Sequence, residues 1–443
     1  MQTSDSPQLK VTYKPVCRLA GYPNNSRKHS QHQIRQIAAS IKAFGFTNPV
    51  LIDQNDTVIA GHGRVAAAKL LGMDQVPTIR LESLSEDQVR AYVIADNRLA
   101  EKAGWDKSIL AIELQHLLTI DSDLDVTVTG FDVPEIDLIL SQATTEPDQD
   151  DVFEIGPTSQ IVTRLGDLWH LGKHRVLCGN ALDENSYKTL MGPRHANLAF
   201  VDPPYNVPIE GNVSGHGSIH HPEFAMASGE MNEAEFVAFL STSLRLLARH
   251  STNGSIHFVC MDWRHASELL AAGNQVYESF LNLCVWVKNN GGIGSFYRSR
   301  HELVFVFKNG RGLHRNNIQL GRYGRNRTNI WEYPRVSALS SNGDEGNLLA
   351  LHPTVKPVAL IADALLDCSA RGEIVLDTFL GSGSTLIAAE RVGRVCFGME
   401  IEPLYVDVAI RRWQRHTGDR AIHSATRKCF DELVATSEVG NGQ

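Results

Sequence analysis

Two short segments carry most of the chemistry in this chain. Asp202-Pro203-Pro204-Tyr205 follows the apolar run Asn197 to Val201, and Asp377-Thr378-Phe379-Leu380-Gly381-Ser382-Gly383-Ser384-Thr385 follows a second apolar run about 175 residues later. An amino group on an aromatic ring is a poor nucleophile, because its lone pair is delocalised into the ring. Accepting hydrogen bonds from both of its N–H groups draws that lone pair out. Asp202 offers a carboxylate for this and Pro203 a carbonyl oxygen, while the two prolines stiffen the loop and add no competing N–H. Tyr205 offers a ring face for stacking on a flat heterocycle. Taken alone, the tetrapeptide also fits an ordinary Asp-Pro turn at a strand end.

The second segment suits a nucleotide-like ligand. Gly381 and Gly383 permit a tight turn and close backbone approach, and the exposed N–H groups at the start of the following helix favour a carboxylate or phosphate. Glu400 ends the next apolar run, 23 positions after Asp377. An acid there can hydrogen-bond ribose hydroxyls, which favours a nucleoside-bearing cofactor over a bare phosphate. His352-Pro353-Thr354-Val355-Lys356-Pro357 leads back towards the glycine loop and reads as a wall of the same pocket or as a rigid loop and helix cap.

Alternating strands and helices must position these loops. From about residue 162, apolar runs at 175–178, 197–201, 255–260, 283–287, 303–307, 373–376 and 395–399 alternate with helical patterns at 233–249, 357–368, 384–392 and 403–416. That alternation predicts a mainly parallel sheet covered by helices, an α/β fold. Residues 30–140 read as a smaller α+β unit. Helices are expected at 34–41 with Gly45 as a stop, at 65–71 closed by Gly72, and at 86–95, 107–118 and 134–141; short strands are expected at 49–53 and 57–60 around a turn at Asn55-Asp56. Between the units, residues 144–154 (TTEPDQDDVFE) carry five acids and no base, the composition of a linker. The expected organisation is therefore an N-terminal domain over 1–142, a linker over 143–161 and a second domain over 162–435.

The chain has 443 residues and a net charge of −8, which alone argues against a polyanionic partner. Distribution matters more. From Trp286 to Ile330 there are nine Lys/Arg against one acid, Glu302, and Phe296, Tyr297, Tyr323 and Trp331 are interleaved or adjacent. Arginines grip phosphates and aromatics stack on bases, so Arg298, Arg300, Arg315, Arg322, Arg325 and Arg327 are expected to contact nucleic acid. Seven widely spaced cysteines without C-x-x-C read as reduced thiols in a cytosol, not as a zinc site or disulfide framework. His216, His220 and His221 lack a fourth ligand, and no metal is expected. They lie in the stretch 206–231, rich in Gly, Ser and His, which reads as a lid or as a plain surface loop. The polar start and the lack of a long apolar run predict a cytoplasmic protein with no membrane contact, and the basic, aromatic stretch predicts that it associates with DNA.

With these segments in hand, residues 160–430 closely resemble the amino-directed DNA methyltransferases that use S-adenosylmethionine. DPPY matches their catalytic motif, FLGSG their cofactor loop and HPTVKP the motif preceding that loop, in the permuted order of the β group. The resemblance implies a Rossmann-like methyltransferase domain in which Asp202, Pro203, Pro204 and Tyr205 hold a flipped adenine. It also implies that Asp377, Phe379, Gly381, Gly383, Ser384, Thr385 and Glu400 hold the donor, together with Asn180, His352, Thr354 and Lys356 along the pocket wall. At Gly179-Asn180 many relatives carry Gly-Asp. The family places its target-recognition region after the catalytic half, here about 308–351, and its members act on double-stranded DNA, commonly as homodimers.

Roughly residues 10–100 resemble the ParB/sulfiredoxin-like superfamily, through Asn25-Ser26-Arg27-Lys28, the strand 49–53 and Gly61-His62-Gly63-Arg64-Val65-Ala66-Ala67. Partition proteins carry Gly-Glu-Arg-Arg where this chain has Gly-His-Gly-Arg, and the catalytic cysteine of sulfiredoxins has no counterpart. The implied activity is site-specific methylation of adenine N6. Cytosine N4 methylation stays open, with DPPY leaning to adenine. So does a ParB-like DNA- or nucleotide-binding protein whose methylase half is not catalytic.

Overall fold

The computed structural model describes residues 9–102, 104–119, 125–143, 161–206, 229–288, 297–321, 325–334 and 355–440. Most of the expected linker, the histidines 216, 220 and 221, and the site residues Arg322, His352 and Thr354 therefore lie outside the described residues, as does much of 308–351. The chain divides into two compact units, Met1–Thr144 and Thr145–Gln443. Among the described residues, no helix is long and apolar enough to cross a membrane.

The first unit holds strands β1 (Val11–Pro15), β2 (Ala20–Gly21), β3 (Val50–Ile52), β4 (Thr57–Ala60) and β5 (Gln75–Arg80) in the order β1-β5-β3-β4-β2. Its helices are α1 (Gln31–Phe44), α2 (His62–Leu70), α3 (Glu86–Lys102), α4 (Lys107–Thr119) and α5 (Val133–Ala143). The Ser30 side chain caps α1 by accepting from the Gln33 N–H, and Gly45 at φ +81° stops it. Helix α2 begins three residues before its expected start, because Gly61 at φ +101° turns the chain directly into it. Val16, Leu19, Val50, Ile52, Val58, Val65, Ala68 and Val76 form its main core, and a second cluster of Leu114, Val126 and Ile136 joins α4 to α5.

The second unit is built on one ten-stranded sheet. In chain order its elements are β6 (Leu168–Leu171), β7 (His174–Cys178), α6 (Glu184–Met191), β8 (Ala196–Val201), α7 (Glu233–Arg249), β9 (Ser251–Met261), α8 (Ala266–Val276), β10 (Ser279–Val287), β11 (His301–Lys308), β12 (Ile330–Glu332), α9 (Val358–Cys368), β13 (Ile374–Asp377), α10 (Ser384–Arg391), β14 (Val395–Glu400), α11 (Pro403–Thr417), β15 (Ala421–His423) and α12 (Phe430–Gly440). The sheet order is β12-β10-β11-β9-β8-β13-β14-β7-β6-β15, and the five central strands β9, β8, β13, β14 and β7 are mutually parallel.

Both faces of that sheet are buried, so its strands are apolar on both sides. Leu198 and Phe200 of β8 pack into the layer made by α9, α10 and α11. Ala199 and Val201 face the layer of α6, α7 and α8. The chain leaves β8 through α7 towards β9, and leaves β13 through α10 towards β14, in the opposite direction and over the other face. The fold is thus a doubly wound, Rossmann-like α/β layer structure with its topological switch between β8 and β13, the crevice where such sheets bind ligands.

Candidate active site

Asp202 stands one residue beyond β8, and Asp377 is the last residue of the neighbouring β13. Glu400 ends the next strand, β14, and Asn180 follows β7 beyond that. Parallel strands lie about 4.8 Å apart, so the proline loop and the glycine loop share one edge of the sheet and flank its switch point. Phe379, Ser384 and Thr385 belong to the turn from β13 into α10 and complete this group.

The glycine loop is fixed from below. Gly381 has φ +52° and Gly383 φ +86°. The space beside Gly383 is filled by α11: a Cβ built there would lie 2.9 Å from Ala409 Cβ. The lack of a side chain at Gly383 thus serves helix packing. Arg412 of the same helix is buried and donates to the Ser382 carbonyl at 3.3 Å and to Ser384 Oγ at 3.1 Å. Glu400 accepts from the Gly381 N–H at 2.8 Å and from the Glu402 N–H at 3.0 Å. Asp377 Oδ1 accepts from the Phe379 N–H at 3.0 Å. Burial pushes Asp377 up to about 7, against the pull of Thr385 and that N–H. Glu400 is raised too, chiefly by burial. The Asn180 side-chain oxygen accepts from the Leu182 N–H at 2.9 Å, so it braces its own turn.

Around Asp202 the structure adds groups that motif reasoning missed. Asp202 Oδ1 accepts from the Tyr205 hydroxyl at 2.5 Å and Oδ2 from Lys356 Nζ at 2.6 Å. Lys356 reaches Glu302 Oε2 at 3.0 Å, and Lys288 donates to Glu302 Oε1 at 2.7 Å. Lys356, expected on the donor pocket wall, is a buried partner of the proline loop, 5% exposed. Glu302 was counted only as the lone acid of a basic stretch, yet it faces Trp286 across β10–β11 and is 6% exposed. An acid directly before the apolar run 303–307 of its strand was the available signal. Burial disfavours the charge of Glu302, but Lys356 and Lys288 overcome it and bring its pKa to about 2. Asp202 sits above the ordinary carboxylate range, because burial and the Glu302 charge outweigh Lys356.

The basic stretch does not form one surface. Lys288, Arg298 and Arg300 lie at the site edge of the sheet, where the end of β10 pairs with the start of β11; Arg300 Nε donates to the Lys288 carbonyl at 3.0 Å, and Tyr297 nearby is 84% exposed. β11 runs antiparallel to β9, so the chain beyond Lys308 emerges at the opposite edge. There Arg315 pairs with Glu373, just before β13, at 2.9 Å. Arg325 and Arg327 are engaged within the protein: Arg325 is 6% exposed and bonds Asp367 at 2.8 Å and Asp363 at 3.1 Å, and Arg327 pairs with the same two aspartates. Trp331, counted among stacking aromatics, is buried against Phe258. The segment 206–231 is closed at its base by Asn206, which accepts from the Gly229 and Met231 N–H groups and donates to the Met231 carbonyl at 2.8 Å.

In the first unit, Arg27, His29, His62, Arg64, Asp96 and Asn97 are among the residues lining a cavity of about 230 Å³ at the start of α2. Arg64 donates to the Asn48 carbonyl at 2.9 Å. His62 accepts from the Tyr22 N–H at 3.3 Å, and burial with the neighbouring His29 lowers its pKa.

Family profiles match the chain in three places. One described as the ParB N-terminal domain covers residues 2–97, one described as the ParB-methyltransferase HTH domain covers 108–165, and one described as DNA methylase covers 196–411. The second takes in α5 and all but the first residue of α4. Among curated proteins, the chain is 52% identical over 83 residues to the ParB-like nuclease domain-containing protein YnaK of Escherichia coli (strain K12), covering 19% of this chain and 95% of that protein. It is 25% identical over 284 residues to the type II methyltransferase M.HpaI of Haemophilus parainfluenzae, covering 58% and 80%. A solved structure of PvuII DNA methyltransferase (cytosine-N4-specific) aligns with a TM-score of 0.41 at 16% identity, covering 54% of this chain and 85% of that one.

Proposed function

The chain belongs to the N6/N4 DNA methylases, joined to a ParB-like N-terminal domain, and from that premise we propose that it methylates the exocyclic N6 amine of adenine in double-stranded DNA, with S-adenosylmethionine as donor. The observation that carries this reading is the meeting of Asp202-Pro-Pro-Tyr205 and the glycine loop at one switch point. The proposed organisation keeps a ParB-like domain over 1–142, a linker over 143–161 and the methyltransferase over 162–435.

The donor supplies a methyl group on a positively charged sulfur. The site suits such a cation: Asp202, Asp377 and Glu400 stand at three neighbouring strand ends, an acidic rim that would repel a polyphosphate. Glu400 and Asn180 line the side for the nucleoside, and the loop from Phe379 to Thr385 holds the rest of the donor. Asp202 and the Pro203 carbonyl accept from the two amine N–H groups and sharpen the nitrogen lone pair, while Tyr205 stacks on the everted base. As the new N–C bond forms, the S–C bond breaks with its electron pair left on sulfur, and the nitrogen sheds a proton to the Asp202 carboxylate. Arg298 and Arg300 at the site edge, with Tyr297, grip the duplex beside the flipped base.

A filter assay with labelled donor and duplex DNA tests this reading. Asp202→Ala should lower turnover by ~10³-fold or more while donor binding survives; ordinary turnover by that variant refutes the role given to Asp202.

A further inference from the structure

Resting on that reading, we propose that Lys356 and Glu302 are positioning residues for methyl transfer: Lys356 aims the Asp202 carboxylate at the amine, and Glu302 holds Lys356 in place and shares its charge. Lys356 has three N–H hydrogens, and three oxygens surround its ammonium: Asp202 Oδ2 at 2.6 Å, Glu302 Oε2 at 3.0 Å and the Tyr205 hydroxyl at 3.1 Å. It donates to Asp202 and to Tyr205, and the Glu302 carboxylate lies within ion-pair distance. The rings of Tyr205 and Trp286 flank it, with centroids at 5.5 and 5.9 Å.

The connectivity explains why two carboxylates share one ammonium. Asp202 follows β8, Glu302 belongs to β11, Lys288 follows β10 and Lys356 precedes α9. Two ammonium groups and two carboxylates balance to zero, which makes the burial tolerable. A lysine paired with Asp202 alone would hold the carboxylate at full strength and reduce its power to accept. Glu302 draws part of that charge away, so Asp202 is the more basic acid of the pair. The other titratable groups near Asp202 are Tyr205, Cys260 of β9 and Asp377 of β13.

The two residues should therefore move the pKa of Asp202 in opposite senses. Lys356→Met removes a positive charge and raises it; Glu302→Gln removes a negative charge and lowers it. The test is the pH dependence of kcat on duplex DNA with labelled donor, with donor affinity measured alongside. The acid limb should shift upward by ~1 pH unit in Lys356→Met and downward in Glu302→Gln, kcat should fall by ~100-fold in Lys356→Met, and Lys356→Arg should recover part of it. Donor affinity should change less than kcat. Carboxyl ¹³C titration of aspartate-labelled protein, assigned with Asp202→Asn, reads the same shifts without turnover and covers a variant too slow to assay. Shifts in the same direction, or none, in the folded variants overturn the proposal. A wild-type protein that moves no methyl group to DNA overturns the underlying activity instead, and the ¹³C titration still tells the two failures apart.

Discussion

Replacing Gly383 by alanine should loosen the whole donor side of the site. The backbone there has φ +86°, and the added Cβ would lie 2.9 Å from Ala409 Cβ and 3.2 Å from Ala409 Cα. The left-handed conformation costs an L-residue ~1–2 kcal/mol. Pressing a methyl group against helix α11 adds ~1–3 kcal/mol, because the contact is partly with backbone and cannot rotate away. A less flexible unfolded chain returns ~0.4–1 kcal/mol, leaving a net loss of ~1–5 kcal/mol. Relief of the clash would shift the loop and stretch the Gly381 N–H to Glu400 bond, now 2.8 Å, so donor affinity should fall as well. Denaturant midpoints and calorimetric titration with S-adenosylmethionine measure both. Adding Ala409→Gly should restore the clash component and leave the backbone component. A Gly383→Ala protein within ~0.5 kcal/mol of wild type, with unchanged donor affinity, refutes the claim that α11 sets the loop.

Three further outcomes follow from the geometry. Arg300→Ala should weaken DNA binding across sequences and reduce the salt slope by ~1, whereas Arg315→Ala, at the opposite sheet edge, should leave the slope unchanged; filter binding over a salt series checks this. Arg325→Met should destabilise the fold by ~1.5–3 kcal/mol by removing one of the two arginines that bond buried Asp367, Arg327 remaining as its partner, again with no change in salt slope. His257 is fully buried between Ser255 and Tyr277, and burial lowers its pKa from 6.5 to about 3. Below pH 6.5 the unfolded chain therefore takes up a proton that the fold refuses, and stability drops by ~1.4 kcal/mol per pH unit until about pH 3. His257→Gln should flatten that part of the stability curve measured by denaturant titration.

What the sequence made legible was mostly what repeats or is apolar. The central strands stood out because burial on both faces makes them continuous apolar runs. Strand β5 did not, because Pro77 interrupts it although it pairs with β1 and β3 on either side. Helix α8 was obscured by Gly273, which is needed there because a side chain would meet the Phe307 ring at 2.4 Å. In the site, Asp202 and Asp377 were readable from their local motifs. Lys356 and Glu302 were not, since their roles arise from contacts across 154 and 14 residues of chain to Asp202 and Lys288. Charge counting also merged Arg300, Arg315 and Arg325 into one patch, because a linear window cannot see that β11 carries the chain from one sheet edge to the other.

The central claim is tested most directly by incubating the protein with isotopically labelled S-adenosylmethionine and unmethylated duplex DNA, digesting the product to nucleosides and identifying the labelled base by mass spectrometry. The account predicts label on N6-methyladenine, lost with Asp202→Ala. Label on N4-methylcytosine contradicts the assigned base, and DNA without label contradicts the active site itself.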